Sequence, residues 1–209
     1  MKKSLLALIF AVALAVPAMA ENMWVGGDFS YSSGNNKIEY PGGEDTMSST
    51  SWSIGAEFGW TIVDRWDIGL DLAYLSKQGL SGEFGEDWAG APFSIDNTET
   101  AIAPFARYYL AKIAGIDIIL KGSIFYATGE YSYVYYGKHT DKYNAYGLKV
   151  VPIISYSINE TWSIGAILNF AELSFVHTES EDYGDYKNDK FGFNVNDGSL
   201  ISIGLSYHF

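Results

Sequence analysis

Apolar and polar residues alternate in segments spread along the chain after residue 20, and this period of two constrains the fold most strongly. From Trp52 to Ile62 the even positions are apolar, whereas the odd positions between them are small or polar. Successive side chains of a β-strand point to opposite faces, so the pattern predicts strands with one apolar and one polar face. It recurs in eight segments: 23–33, 52–62, 66–74, 98–110, 116–127, 146–156, 162–170 and 201–209.

The first twenty residues have the pattern of a secretory signal peptide. Lys2 and Lys3 precede an apolar stretch over 5–17, and Ala18-Met19-Ala20 is a small-x-small cleavage site. The alternative, a membrane-anchoring helix, needs about 20 apolar residues, and this stretch is shorter. We therefore expect residues 1–20 to be removed and 21–209 to form one domain.

The connections between the predicted strands alternate in length. Short turns are expected at 63–65, 111–115 and 157–161, and long polar loops at 34–51, 78–97, 129–143 and 176–190. This layout predicts an antiparallel up-and-down sheet. The piece at 191–198 is too short to span a membrane, so we interpret it as an extension of strand eight or as loop. Pro104 and Pro152 predict bulges or local gaps in the ladder, because proline donates no backbone hydrogen bond.

Charged residues near the middle of the strands decide which face is interior. A soluble lipocalin-like barrel would place its apolar face inside. Here a lipid-facing charge would cost about 2–4 kcal/mol, so the polar face is expected to line the lumen of a transmembrane barrel. Acids from strands one to three should pair across the lumen with bases from strands four to six. The predicted ion-pair network is Asp28, Glu57, Asp71, Arg107, Lys121 and Lys149.

Aromatic residues stand near both ends of the apolar face. Such residues form the two interfacial girdles of membrane barrels. The candidate girdle residues are Trp52, Trp60, Trp66, Tyr74, Tyr108, Tyr156, Trp162 and Tyr207. Together with the strand count, they predict an all-β fold, an eight-stranded antiparallel up-and-down transmembrane β-barrel.

Composition excludes several classes of protein. The formal net charge of −12 argues against nucleic-acid binding, and the 16% aromatic content argues against disorder. The absence of Cys excludes a disulfide scaffold and thiolate metal sites. His139, His177 and His208 are too far apart in the predicted topology to share a zinc ion. We expect no metal and no cofactor.

The C-terminus adds a resemblance to a known family. Ile203, Leu205, Tyr207 and Phe209 alternate up to a terminal aromatic residue, which resembles the assembly signal of bacterial outer-membrane proteins. Together with the eight strands and the segment 104–109, the chain resembles the small OmpA/OmpX-type and opacity-type barrels. The resemblance implies an outer-membrane location with long loops extracellular and both termini periplasmic. It also implies contact with membrane lipid and lipopolysaccharide, and assembly by the barrel assembly machinery and periplasmic chaperones.

Three functions are compatible with such a barrel. We favour a monomeric structural or surface-interaction protein whose lumen is plugged by ion pairs, because its loops are rich in Tyr, Gly and acidic residues. The alternative is a narrow gated porin for small ions. A lipid A-modifying enzyme ranks third, since His177, Glu179 and Ser180 offer the residue types without a recognisable family pattern. We expect no enzymatic activity.

Overall fold

Within the described residues, the chain forms ten β-strands and one short 3-10 turn. The computed structural model describes residues 22–40, 43–83, 92–134, 138–180, 187–194 and 201–209. The predicted signal peptide lies outside the described residues. The strands are β1 (Met23–Tyr40), β2 (Gly43–Val63), β3 (Trp66–Glu83), β4 (Pro92–Ile113), β5 (Ile116–Val134), β6 (Lys138–Ser157), β7 (Trp162–Leu168), β8 (Glu172–Ser180), β9 (Lys187–Asn194) and β10 (Ile201–His208).

Antiparallel pairing closes these strands into a barrel with eight positions. Each strand from β1 to β6 pairs with the next strand in sequence. β10 pairs with β7 on one side and with β1 on the other, which closes the barrel. The turn Asn169–Ala171 divides the seventh position into β7 and β8, and β6 pairs with both. β9 pairs with β8 and occupies the eighth position above β10. The predicted eight-stranded up-and-down barrel is confirmed.

The predicted long loops are largely strand. β1 and β2 pair from Met23 to Tyr40, and β5 and β6 pair as far as Val134 and Lys138. The prediction of loops is therefore wrong for most of these residues. Outside the segments with apolar alternation both faces of a hairpin are polar. The backbone ladder can continue there, because it does not depend on an apolar face. Residues 191–194 of the piece 191–198 belong to β9, which agrees with the interpretation as an extension of the last strand. Residues 195–198 lie outside the described residues.

The short turns lie where they were predicted. Asp64 and Arg65 connect β2 to β3, and Ala114 and Gly115 connect β4 to β5. Gly115 has φ 84°, a left-handed conformation that glycine adopts without steric cost. In the third turn the Asn159 side-chain oxygen accepts hydrogen bonds from the backbone N–H groups of Thr161 (2.9 Å) and Trp162 (2.7 Å).

Pro104 and Pro152 coincide with gaps in the backbone ladder. Ala103 and Pro104 have no partners on β5, although the register is the same on either side of them. On β6, residues 143–150 pair with β8 and residues 153–157 pair with β7. Pro152 lies between these two ranges and has no ladder partner on that side. These gaps match the prediction made from the missing proline N–H.

The apolar face of the barrel points outward. Ile124 and Ile203 are 62% and 61% exposed, whereas Glu57, Arg107 and Lys121 are 7%, 8% and 5% exposed. A barrel that buries charge and exposes aliphatic side chains is arranged opposite to a lipocalin. No helix among the described residues is long and apolar enough to cross a membrane.

Candidate functional site

Four charged side chains form a layer across the middle of the lumen. Arg107 on β4 and Lys121 on β5 both donate hydrogen bonds to the carboxylate of Glu57 on β2. Lys121 Nζ also lies 2.8 Å from Asp71 Oδ2 on β3. The strand register places Glu57 beside Asp71 and Arg107 beside Lys121, so two acids face two bases. We call these four residues the charged layer.

Two aromatic rings support the bases of the charged layer. The guanidinium carbon of Arg107 lies 4.1 Å from the centroid of the Trp24 ring, and Lys121 Nζ lies 4.6 Å from that of Phe105. The two rings are themselves 6.0 Å apart. Cation–π contacts gain strength where the cation has lost its water, as here. The rings therefore hold the bases in position while the carboxylates neutralise them.

A fully buried carboxylate fixes Trp24 on the short-turn side of the layer. Asp67 is 0% exposed and accepts hydrogen bonds from Trp24 Nε1 (3.1 Å), the Tyr109 hydroxyl (2.8 Å) and the Thr61 hydroxyl (2.8 Å). Sequence reasoning missed Asp67 and Trp24 as parts of the site, because both lie close to strand ends. Their positions on the inward face were the available signal.

Two of the six predicted network residues lie outside the charged layer. Lys149 Nζ lies 2.6 Å from Glu172 Oε2 on β8 rather than beside an acid of strands one to three. Glu172 was missed because the turn before it shifts the alternation. The ion pairs of the described residues do not include Asp28. Mutual pairing across the lumen is therefore a wrong prediction for Lys149 and Asp28.

The Asp28 carboxylate lies against the wall of the barrel. A Cβ atom added at Gly55 would stand 2.6 Å from Asp28 Oδ2, so the neighbouring strand leaves space for this carboxylate by lacking a side chain. Close approach of this kind is a common reason for glycine within a strand.

The charged layer divides the lumen into two cavities. The cavity towards the short turns has a volume of about 450 Å³, and Glu57, Asp67 and Arg107 line it. The cavity towards the long hairpins has a volume of about 480 Å³, and Asp71 and Lys121 line it. An eight-stranded barrel is just wide enough for side chains to fill, so one such layer can block it.

The predicted girdle residues lie on the outward face and several form ring pairs. Ring centroids are 4.8 Å apart for Trp66–Tyr108, 5.4 Å for Trp52–Tyr74 and 4.9 Å for Trp162–Tyr207. Trp60 and Tyr156 are also exposed. Of the terminal residues, Ile203, Leu205 and Phe209 are exposed, and the Tyr207 and Phe209 rings meet edge to face at 4.9 Å.

The three histidines lie in separate places. His177 contacts Asp189 and Glu179 on the outer surface, His208 lies 3.3 Å from the Ser163 hydroxyl in the lumen, and His139 is exposed near the β5–β6 connection. Among the described residues, no group of three or more His, Asp or Glu could hold a metal ion. Because side chains alternate along β8, Ser180 points away from the face that carries His177.

The chain is similar in structure to several solved outer-membrane barrels, at low sequence identity. A scan against protein-family models finds no match, and the search of curated proteins finds none. Neisserial surface protein A is 15% identical, with a TM-score of 0.43, over 90% of this chain and 98% of that one. A major outer membrane protein of Thermus thermophilus is 12% identical, with a TM-score of 0.44, over 91% and 100%. The attachment invasion locus protein of Yersinia pestis is 8% identical, with a TM-score of 0.43, over 91% and 100%. The strand pairing of this chain by itself defines the barrel.

Proposed function

We propose that the chain is an integral outer-membrane barrel with a structural or surface-interaction role and a lumen closed to ions. The charged layer carries this proposal, since buried charges lie inside a barrel whose outer face is a band of exposed apolar side chains between aromatic rows. A soluble barrel would leave that band in contact with water. In a bilayer the band meets hydrocarbon, and barrel closure satisfies the backbone without water.

The proposed orientation puts the long hairpins outside the cell. Both described chain ends, Asn22 and Phe209, lie at the short-turn end, where the Phe209 N–H donates to the Met23 carbonyl at 3.0 Å. Outer-membrane barrels have short periplasmic turns and longer extracellular connections. We therefore propose periplasmic termini, a monomer in contact with lipid and lipopolysaccharide, and insertion by the barrel assembly machinery.

Leu70→Arg tests the membrane-facing surface. Leu70 is exposed on β3, midway between the aromatic residues Trp66 and Tyr74, so an arginine there would enter the hydrocarbon core. We expect a loss of about 2–4 kcal/mol in the free energy of unfolding, measured by urea titration in lipid vesicles. Ile113→Arg, beside a short turn, is the matched control and should cost about 0–1 kcal/mol. Equal small effects at both positions would support a soluble barrel and reject the proposal.

The second candidate is a narrow pore for small ions. The two lumen cavities favour a pore, because Asp28 and Ile167 line both cavities. The cavities therefore come close to each other at these two residues. Opening this path would need movement of the charged layer. We propose no catalytic reaction, because His177 and Ser180 lie on opposite faces of β8.

A further inference from the structure

A cluster of ionisable side chains joins β8 to β9 on the outer surface, beyond the apolar band. His177 Nδ1 lies 2.5 Å from Asp189 Oδ1 on β9, and its Nε2 lies 3.2 Å from Glu179 Oε1 on β8. Lys187 Nζ of β9 lies 3.3 Å from the same Glu179 oxygen. On β6, the Tyr146 ring lies 4.8 Å from the imidazole. Within the described residues, these are the titratable groups recorded around His177 and its partner Glu179.

The geometry favours a charged imidazole at His177. A neutral imidazole has one N–H and can donate to one acceptor, whereas here each ring nitrogen faces a carboxylate oxygen. The imidazolium ion donates to both. The hydrogen bonds to Asp189 and Glu179 accordingly raise the pKa of His177 above its ordinary value. The same contacts with His177 and Lys187 lower the pKa of Glu179, so its carboxylate stays ionised in weak acid.

β9 is paired on one edge only within the described residues, so its stability depends strongly on this cluster. Within the described residues, β9 pairs with β8, from Lys187↔Glu179 to Asn194↔Glu172, and no pairing joins its other edge to β1. By contrast, β2 to β5 each pair with a neighbour on both sides. Side-chain contacts between β8 and β9 therefore hold a larger share of β9 in place than similar contacts would elsewhere.

We propose that His177 is a proton-controlled latch that fastens β9 to the barrel. Protonated His177 bonds Asp189 and Glu179 together across the hairpin. Loss of the proton leaves a ring lone pair opposite a carboxylate, and the hairpin loosens. The stabilisation is complete below the ordinary histidine pKa of about 6.5 and is lost as the pH rises through the higher folded-state value. Weak acid thus holds β9 against β8, and alkaline conditions weaken this attachment.

Hydrogen exchange of the full refolded domain, followed by mass spectrometry, tests the latch. After correction for intrinsic rates, amides of residues 187–194 should exchange about two- to fivefold faster at pH 8.5 than at pH 5.5. Amides of β3 are the internal reference and should show no such change. In His177→Gln, exchange of β9 should be fast at both pH values. His139→Gln, which removes another histidine at the same end of the barrel, should behave like the wild type.

Two results would overturn the latch. One is β9 exchange in the wild type that is independent of pH. The other is a pH dependence that persists in His177→Gln. If that variant does not refold, an NMR titration of the His177 ring in the wild type decides the matter, since the latch requires an ionisation above the ordinary histidine value and an ordinary or lower value would reject it.

Discussion

Replacing Glu57 with alanine is expected to lower the free energy of unfolding by about 3–5 kcal/mol. Glu57 is the carboxylate shared by Arg107 and Lys121, and all three side chains are buried. Its removal leaves Arg107 without an ion-pair partner among the described residues and leaves Lys121 with Asp71 alone. Removing one partner of a buried pair costs more than the pair contributes, because an uncompensated charge remains in a dry site.

Urea titration of the refolded domain in lipid vesicles measures this effect. Glu160→Ala is the control, since Glu160 is exposed in the third short turn and its loss should change stability by about 0.5 kcal/mol or less. A Glu57→Ala barrel as stable as the control would mean that water or rearranged side chains replace the missing carboxylate, which would contradict the role of Glu57 as the shared partner of two buried bases.

Trp24→Ala is the second substitution with a large expected effect, about 3–5 kcal/mol of unfolding free energy. The Trp24 ring is 1% exposed, and it lies beneath Arg107 and donates to Asp67. A Cβ atom at Gly59 would lie 2.2 Å from this ring, so the barrel wall is shaped around the indole. Its loss opens a cavity and removes support from a buried cation.

Trp24→Phe separates packing from hydrogen bonding. Phenylalanine keeps an aromatic ring beneath Arg107 but cannot donate to Asp67, so we expect a smaller loss of about 1–3 kcal/mol. Both variants can be compared with the wild type by the same titration. A Trp24→Ala effect below about 1 kcal/mol would show that the ring does not support the layer.

The alternation of side chains was sufficient to predict the barrel and its inside-out arrangement. The period of two located the eight barrel segments because one face of each is apolar and the other polar, as at Trp52 to Ile62. The same signal failed beyond the apolar band, where a paired hairpin and a polar loop have similar compositions. Extension of β1 to Tyr40 therefore could not be derived from the pattern.

The charged layer was only partly predictable. Charge type and strand position suggested that acids of strands one to three would face bases of strands four to six. The structure shows which of them pair, since Glu57 contacts both Arg107 and Lys121. The partner of Lys149 depends on the 3-10 turn before Glu172, which changes the face that later residues occupy. Asp67 joins the site through hydrogen bonds from three different strands, a relation that is set by barrel tilt and register rather than by spacing.

Planar-bilayer recording of the refolded domain, residues 21–209, tests the central claim most directly. Correct insertion is verified first by the different gel migration of boiled and unboiled samples. With the lumen closed by Glu57, Asp71, Arg107 and Lys121, we expect a heat-modifiable protein that gives no channel steps. Reproducible single-channel steps from the same preparation would contradict a closed lumen and would make the charged layer the gate of a pore.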